Sequence, residues 1–374
     1  MTRAVVVTDE GAARRYAAGW DALAVAASNP YCSPAWMLAW WRRVAPARCD
    51  LRVVVALDGD EVVGVAPLFA DRRLRGATRL RILGAGTSAR VDLVAGAGRE
   101  DDVARALAPA LARTRPQPHA IVLEGIPATS PWPSLLAARW PGPARVRVEY
   151  SKASPVMRID GSFDAWFAAH SRNFRKKLGL RRRRLAERGA RYVMARDAGG
   201  ARRALDAFVA LHAARWAPHG GSYVMRPGVE EMLRDVAHEL VPSGRMRLWT
   251  TEVGDDVVSS QVFVAAGEEL SWWLGGYDAA WAEMQPSLVT LLAALEHAFD
   301  AGDRRLDFGT GDQAFKYRFA DGDVTLDWAV VTTSRRHDPL VRLPFLWRRA
   351  RLAVGRRVPR AVIRRARSFA GSRR

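Results

Sequence analysis

The chain is 374 residues long, 49% apolar, with two cysteines and a formal net charge of +19. That length suits two compact units with an appendage, and the separation of Cys32 from Cys49 argues against a zinc site or disulfide framework and fits a reducing cytosol. No run reaches the roughly 18 apolar residues of a membrane span, and acids and arginines replace the apolar core of a signal peptide near the start; the expectation is a cytoplasmic protein.

Helical periodicity opens the chain from Ala12 to Ala27, and Asn29-Pro30 breaks it. Ser33 is placed to cap a tryptophan-rich helix from Pro34 to Val44, with proline in the first turn. Two β-rich runs, Leu51 to Leu57 and Glu61 to Ala70, flank the hairpin turn Asp58-Gly59-Asp60. A strand from Arg79 to Leu83, an amphipathic helix from Asp101 to Arg113, and strands from Ala120 to Glu124 and Val146 to Tyr150 complete a first unit, residues 1–152. The mixture of helices and hairpins predicts the α+β class.

Near Pro155 the scheme begins again. One long helix is predicted from Phe163 to Glu187, carrying Arg172, Arg175, Lys176, Lys177 and the block Arg181 to Arg184. Gly189 ends it, and a strand follows from Arg191 to Ala195. Helices from Ala201 to Trp216 and Gly228 to Leu240 flank the glycine-rich loop Pro218 to Ser222. A second hairpin, Arg245 to Val253 with Val257 to Ala265, echoes the first across Gly254-Asp255-Asp256. A strand from Glu269 to Gly275, a helix from Ser287 to Phe299, a short strand at Arg305 and a strand from Val324 to Thr332 close a second unit, residues 153–335.

The charge is concentrated in the last segment, 336–374 with Arg335 just before it. From Arg335 onward there are fourteen arginines and one acid, Asp338, which supply thirteen of the nineteen net positive charges. Leu340, Leu343, Phe345, Leu346 and Trp347 interleave with them, a basic amphipathic composition that suits an anionic membrane surface, placing the protein at the inner face of the plasma membrane. A solvated basic extension and attraction to RNA are the alternatives.

Chemistry concentrates between Leu306 and Phe319, in Asp307-Phe308-Gly309-Thr310-Gly311-Asp312 followed by Phe315-Lys316-Tyr317. The glycines allow a sharp bend or a close approach. Lys316 is one of very few lysines in a chain whose habit is arginine, and the two are not interchangeable at a site. A protein-kinase reading of Asp307-Phe308-Gly309 fails, because no His-Arg-Asp loop precedes it. The order helix, strand, Asp-Phe-Gly-x-Gly-Asp, x-x-Phe-Lys-Tyr-x-Phe closely resembles the end of the acetyltransferase domain in bacterial GNAT-like proteins of the CelD (cellulose biosynthesis) type. These are similar in turn to Fem-type peptidyltransferases.

The resemblance implies two GNAT-like domains in tandem, mixed twisted sheets flanked by helices, over most of residues 20–335. It implies an acyltransferase that uses acetyl-CoA or another acyl-CoA, without a metal, on an amine or hydroxyl of a saccharide precursor of the cell envelope. The splayed strands that admit the cofactor would be Val257 to Ala265 and Glu269 to Gly275. Its pyrophosphate would rest on the helix starting near Pro286. The family's Gln/Arg-x-x-Gly-x-Gly/Ala fingerprint is absent there, where the chain reads Tyr277 to Ser287 with no glycine.

Lys316 becomes the first catalytic candidate, stabilising charge on a reacting oxygen, with pairing to Asp307 or Asp312 as the structural alternative. Asp307 and Asp312 are candidate bases, or acceptors for loop amides. Gln261, Trp272, Tyr277 and Ser287 are expected at the cofactor. His212, Arg215 and Trp216 share one helix face and, with Asp278 and Arg175, are expected at the substrate. The basic helix is either a solvated face or a polyanion track. Rival functions are a tRNA-dependent aminoacyl or peptidyltransferase and a non-catalytic module of a polysaccharide synthase.

Overall fold

The computed structural model describes residues 2–74, 76–311 and 313–346. The first half runs β1 (Arg3–Val7), α1 (Glu10–Arg14), α2 (Ala17–Ala26), α3 (Pro34–Val44), β2 (Cys49–Asp58), β3 (Glu61–Asp71), β4 (Arg79–Ile82) and β5 (Val94–Ala95), then α4 (Glu100–Ala112), β6 (Ala120–Pro127), α5 (Trp132–Arg139) and β7 (Arg145–Arg158). The second runs α6 (Phe163–Ala169), α7 (Arg172–Ala186), β8 (Arg191–Met194), α8 (Ala198–Trp216), α9 (Val229–Leu240), β9 (Met246–Val253) and β10 (Asp256–Ala266), then β11 (Glu269–Tyr277), α10 (Pro286–Asp300), β12 (Arg305–Asp307) and β13 (Gly322–Thr332).

One sheet joins the halves, in the order β1-β2-β3-β4-β6-β13-β7-β12-β11-β10-β9-β8, with β5 paired to β3. Read inward from either edge, the same scheme appears twice. Each half has an antiparallel hairpin, β2–β3 or β9–β10, and one parallel step, β4 to β6 or β11 to β12. The last strands are exchanged: β13 lies between β6 and β7, while β7 also pairs with β12. Residues 152 and 153 therefore lie within a strand that both halves share. This is an α+β architecture of two like halves, as the resemblance implies.

The expected helix from Phe163 to Glu187 is two helices. His170 is extended (ψ 157°) and the Ser171 hydroxyl accepts from Phe174 N at 3.2 Å, so a local cap outcompetes helix continuation. A helix over 338–346 packs Val341 and Phe345 against Ala120, Val122 and Val330 of the sheet and Ala77 just before β4, with Arg342 Nε on Glu149 Oε1 at 2.7 Å. Leu340 and Phe345, expected at a membrane, thus cover the sheet instead, whereas Leu343 and Leu346 stay exposed. The rest of the basic tail lies outside the described residues. No helix among the described residues is long and apolar enough to cross a membrane.

The halves are locked by buried contacts. Trp273 donates to Thr87 O at 2.8 Å and meets Trp36 edge-on at 6.0 Å. Ser271 Oγ donates to the Tyr31 hydroxyl at 2.8 Å. Glu269, 2% exposed, accepts from Arg90 at 2.6 Å and from Arg305. A charge desolvated to that degree is tolerable only with its partners in place. Glu269→Ala strands Arg90 in the interior, and we expect a loss of about 3–5 kcal/mol, measured as a lower urea midpoint. A midpoint within error of wild type would show that the pair does not hold the halves together.

Candidate active site

The site begins with a strand pair that stops early. β11 and β12 run parallel only from Glu269–Ser271 against Arg305–Asp307. Beyond Asp307 the chain turns to β7: Phe308 N donates to Pro155 O at 3.0 Å. Asp307 Oδ1 accepts from Gly309 N and from Ser154 Oγ, both at 2.7 Å, and Gly309 takes φ +68°, a conformation glycine adopts without cost from a side chain. The edge of β11 from Trp272 to Tyr277 is thereby left without a neighbouring strand. The expected splay between Val257 to Ala265 and Glu269 to Gly275 is corrected: β10 and β11 pair along their length, from Ser259 with Tyr277 to Ala266 with Glu269.

A cavity of about 470 Å³ fills this gap. Gln261, Trp272, Tyr277, Ser287, His212, Arg215 and Trp216 all line it. Helix α8 lies close enough to supply the last three because Gly276 has no side chain: a Cβ there would come within 3.0 Å of His212 N and Leu211 Cβ. Gln261 ties the floor together, accepting from Trp272 Nε1 at 3.0 Å and donating to Ser287 O. The Arg215 guanidinium sits 4.7 Å from the Tyr277 ring centroid. His212 is buried with Nε2 at 2.9 Å from Ser222 Oγ, and burial, reinforced by Arg215, pushes its pKa below the ordinary value. Asp278 instead caps the turn Ala279–Met284 through Ala280 N at 2.9 Å. Arg175 is exposed and donates to His170 O at 3.1 Å. Neither is among the residues lining the cavity.

A second cavity of about 340 Å³ lies between the halves and shares Trp272, Leu274 and Gln313 with the first. Lys316 lines it, 2% exposed, donating to Gly309 O at 2.9 Å and Thr310 O at 3.1 Å, with Nζ 5.6 Å from the Trp272 ring centroid. Its ammonium therefore stands at the junction of the two spaces. Asp307 is fully buried behind the turn and lines neither cavity. Asp312 lies outside the described residues.

Sequence reasoning passed over the opposite wall. Tyr150 and Trp328 stack at 4.7 Å with 16° between planes, and Lys152 Nζ lies 5.1 Å from the Trp328 centroid. From the first half come Thr87 and Ser88, with Arg226 donating to Thr87 Oγ1 at 2.9 Å. A signal for Lys152 was present: the chain has four lysines, and Lys152 and Lys316 both reach this cavity. Among the described residues no group of acids, histidines and cysteines could hold a metal.

Residues 172–317 match the acetyltransferase (GNAT) domain family. The solved structure of FemX is similar over 92% of this chain and 100% of its own, at 12% identity and TM-score 0.65. A conserved protein of unknown function from Bacteroides thetaiotaomicron aligns over 86% and 97% at 10% identity and TM-score 0.55. L-PGS from Bacillus licheniformis aligns over 79% and 88% at 10% identity and TM-score 0.50. These likenesses are of fold. No match was found among curated proteins. The second half carries a GNAT acyltransferase domain, and the protein is an enzyme of the acyltransferase class.

The buried imidazole has a measurable consequence. The unfolded chain takes up a proton at the ordinary histidine pKa, while folded His212 resists it, so its contribution to stability is complete above that value and declines as pH falls toward the depressed folded one. Between about pH 8 and about pH 5.5, His212→Gln should gain stability relative to wild type in paired urea titrations. A constant difference would place His212 in contact with water.

Proposed function

We propose that the protein transfers an acyl group directly from an acyl-CoA thioester, acetyl-CoA in the simplest case, to an amine or hydroxyl of a saccharide precursor of the cell envelope or an exopolysaccharide. The observation that carries this reading is the meeting of two cavities at Trp272, Leu274 and Gln313, beside the Lys316 ammonium. The donor's extended arm would lie along the unpaired edge of β11, which offers backbone groups as a neighbouring strand would. The acceptor would enter between the halves, where the Tyr150–Trp328 pair presents flat amphipathic faces and Lys152 and Arg226 favour an anionic molecule, the lining acid Glu124 being bonded to Arg81.

Attack of the acceptor on the thioester carbonyl forms the new C–N or C–O bond and breaks C–S. The acceptor's proton leaves with the thiolate as free thiol. Negative charge grows on the carbonyl oxygen during attack, and Lys316 supplies positive potential inside a largely dry junction. Holding both reactants in adjoining spaces removes the entropy of their encounter. The bonds to Ser154 and Gly309 make Asp307 a positioning residue that sets the turn under Lys316. CelD-type membership fits the same motif.

A second reading, tRNA-dependent transfer of the Fem type, is favoured by one feature. The first turn of α10 offers few amides to a pyrophosphate: Pro286 has none, Gln285 N donates to Ala282 O at 3.1 Å and Leu288 N to Gln285 O at 3.0 Å. Loss of activity after ribonuclease treatment would select that reading. For the arginines beyond residue 346 we retain attachment to an anionic membrane surface, on composition.

An acyl-CoA at 100 times its dissociation constant should raise stability by about 2.7 kcal/mol in a thermal-shift titration. Lys316→Ala should lower kcat by about 10²–10³ while melting as a folded protein, and wild-type turnover would remove Lys316 from the chemistry. Lys152→Gln should raise KM for the acceptor and leave KM for the donor unchanged. The reverse pattern would exchange the roles of the two cavities.

A further inference from the structure

A third cavity, about 440 Å³, adjoins the first and shares Gln285, Leu288 and Arg318 with it. Its wall is aromatic: the rings of Phe174 and Phe319 meet edge-on at 5.5 Å. Lys177 and Arg181 reach it from α7, and Arg318 from the turn that holds Lys316. Among the described residues no acid lines it. Arg182, the next residue along α7, does find one, in Glu296 at 3.2 Å, so the absence of an acid is a property of this concavity and not of the helix. Burial, and then the charge of Arg318, lowers the pKa of Arg181. Like charges held in one partly desolvated space disfavour each other until an anion enters.

The neighbouring helix end sharpens the point. In an ordinary cradle the amides of the first turn of α10 would take a phosphate, but here Pro286 has no N–H and Leu288 N donates to Gln285 O at 3.0 Å, so few are left. The three cations line the same cavity as Gln285 and Leu288 of that helix end. Two forked guanidinium groups and one compact ammonium are well matched to phosphate oxygens.

We propose that Lys177, Arg181 and Arg318 form a side-chain site for the phosphoryl groups of the donor's carrier. The acyl arm then runs inward past Leu288 and Trp272 to the Lys316 junction. The site rests on the transferase reading for the identity of the arm and on the cavity alone for the anion. Diphosphate in CoA and phosphodiester in a 3′-terminal RNA share this chemistry.

Calorimetric titration of the full chain with CoA, pantetheine, pyrophosphate and a short 3′-terminal RNA tests it. Wild type should bind CoA at least about tenfold tighter than pantetheine, a factor of ten being 1.4 kcal/mol. That gap should close in Lys177→Gln/Arg181→Gln and persist in Arg183→Gln/Arg184→Gln, which alters exposed residues outside the cavity. RNA binding in place of CoA, lost in the same double variant, supports the site with RNA as the source. Equal CoA affinity in wild type and the Lys177/Arg181 variant, or no binding of CoA, RNA or pyrophosphate by wild type, overturns it. Anion binding through these residues without any acyl transfer would retain the site and discard the transferase. Equal use of acyl-pantetheine and acyl-CoA would retain the transferase and discard the site.

Discussion

A single carboxylate governs how this sheet opens. Asp307 is fully buried, and one of its oxygens takes the Gly309 amide and the Ser154 hydroxyl. Those two bonds turn the chain away from β11 after three residues of parallel pairing. Had pairing continued, the edge from Trp272 to Tyr277 would have been consumed by backbone hydrogen bonds and no space would remain. The same turn presents the carbonyls of Gly309 and Thr310 to Lys316. One local conformation thus creates the gap, sets the ammonium beside it and brings Phe308 under the sheet. The second oxygen of Asp307 has no hydrogen-bond partner among the described residues. A buried half-satisfied carboxylate costs stability, and its retention at the junction is consistent with positioning the turn.

The exchange of β7 and β13 has a second effect. Because each half lends its last strand to the other, the walls of the inter-half cavity cannot drift apart without unzipping the sheet. Tyr150 on β7 and Trp328 on β13 come from sequence positions far apart, yet they stack because those strands are neighbours. Trp273 bonded to Thr87, and Arg90 bonded to Glu269, fix the depth of the junction from below. The shared cavity is therefore lined from both halves of one continuous sheet.

Much of this was legible in the residues. The hairpin turns at Asp58-Gly59-Asp60 and Gly254-Asp255-Asp256 lie where the sequence places them, because Asp-Gly turns and alternating β-branched runs are local signals. Lys316 stands out in the sequence by its rarity and lines one cavity, and Gln261, Trp272, Tyr277, Ser287, His212, Arg215 and Trp216 line another. What stayed hidden is non-local. Nothing near Val324 shows that its strand will insert between β6 and β7, so Tyr150, Lys152 and Trp328 could not be grouped. The wrong splay followed from assigning the gap to the nearest strand pair, when the deciding bonds run from Asp307 and Phe308 to β7. Rarity would have served further: of the four lysines, Lys177 lines the third cavity and Lys152 and Lys316 the second.

The duplicated fold contains two parallel steps, and only one is open. In the first half, β4 and β6 also pair for three residues before diverging. There, however, the space beside the step is occupied by charge. Asp71 accepts from Arg73, Arg79 and Arg81, and Arg81 also bonds Glu124. Burial works against the ionised carboxyl of Asp71, but the Arg73 bonds and the flanking guanidinium groups hold its pKa far below the ordinary range. Such a network is costly to take apart, because removing one member leaves buried charges uncompensated. The first half presents Thr87, Ser88 and Glu124 to the shared cavity. In the second half the equivalent step is bordered by a cavity that the side chains of Trp272, Tyr277 and Gln261 line. Two copies of one topology thus differ at the same step, where a charge network borders one and an unpaired strand edge the other.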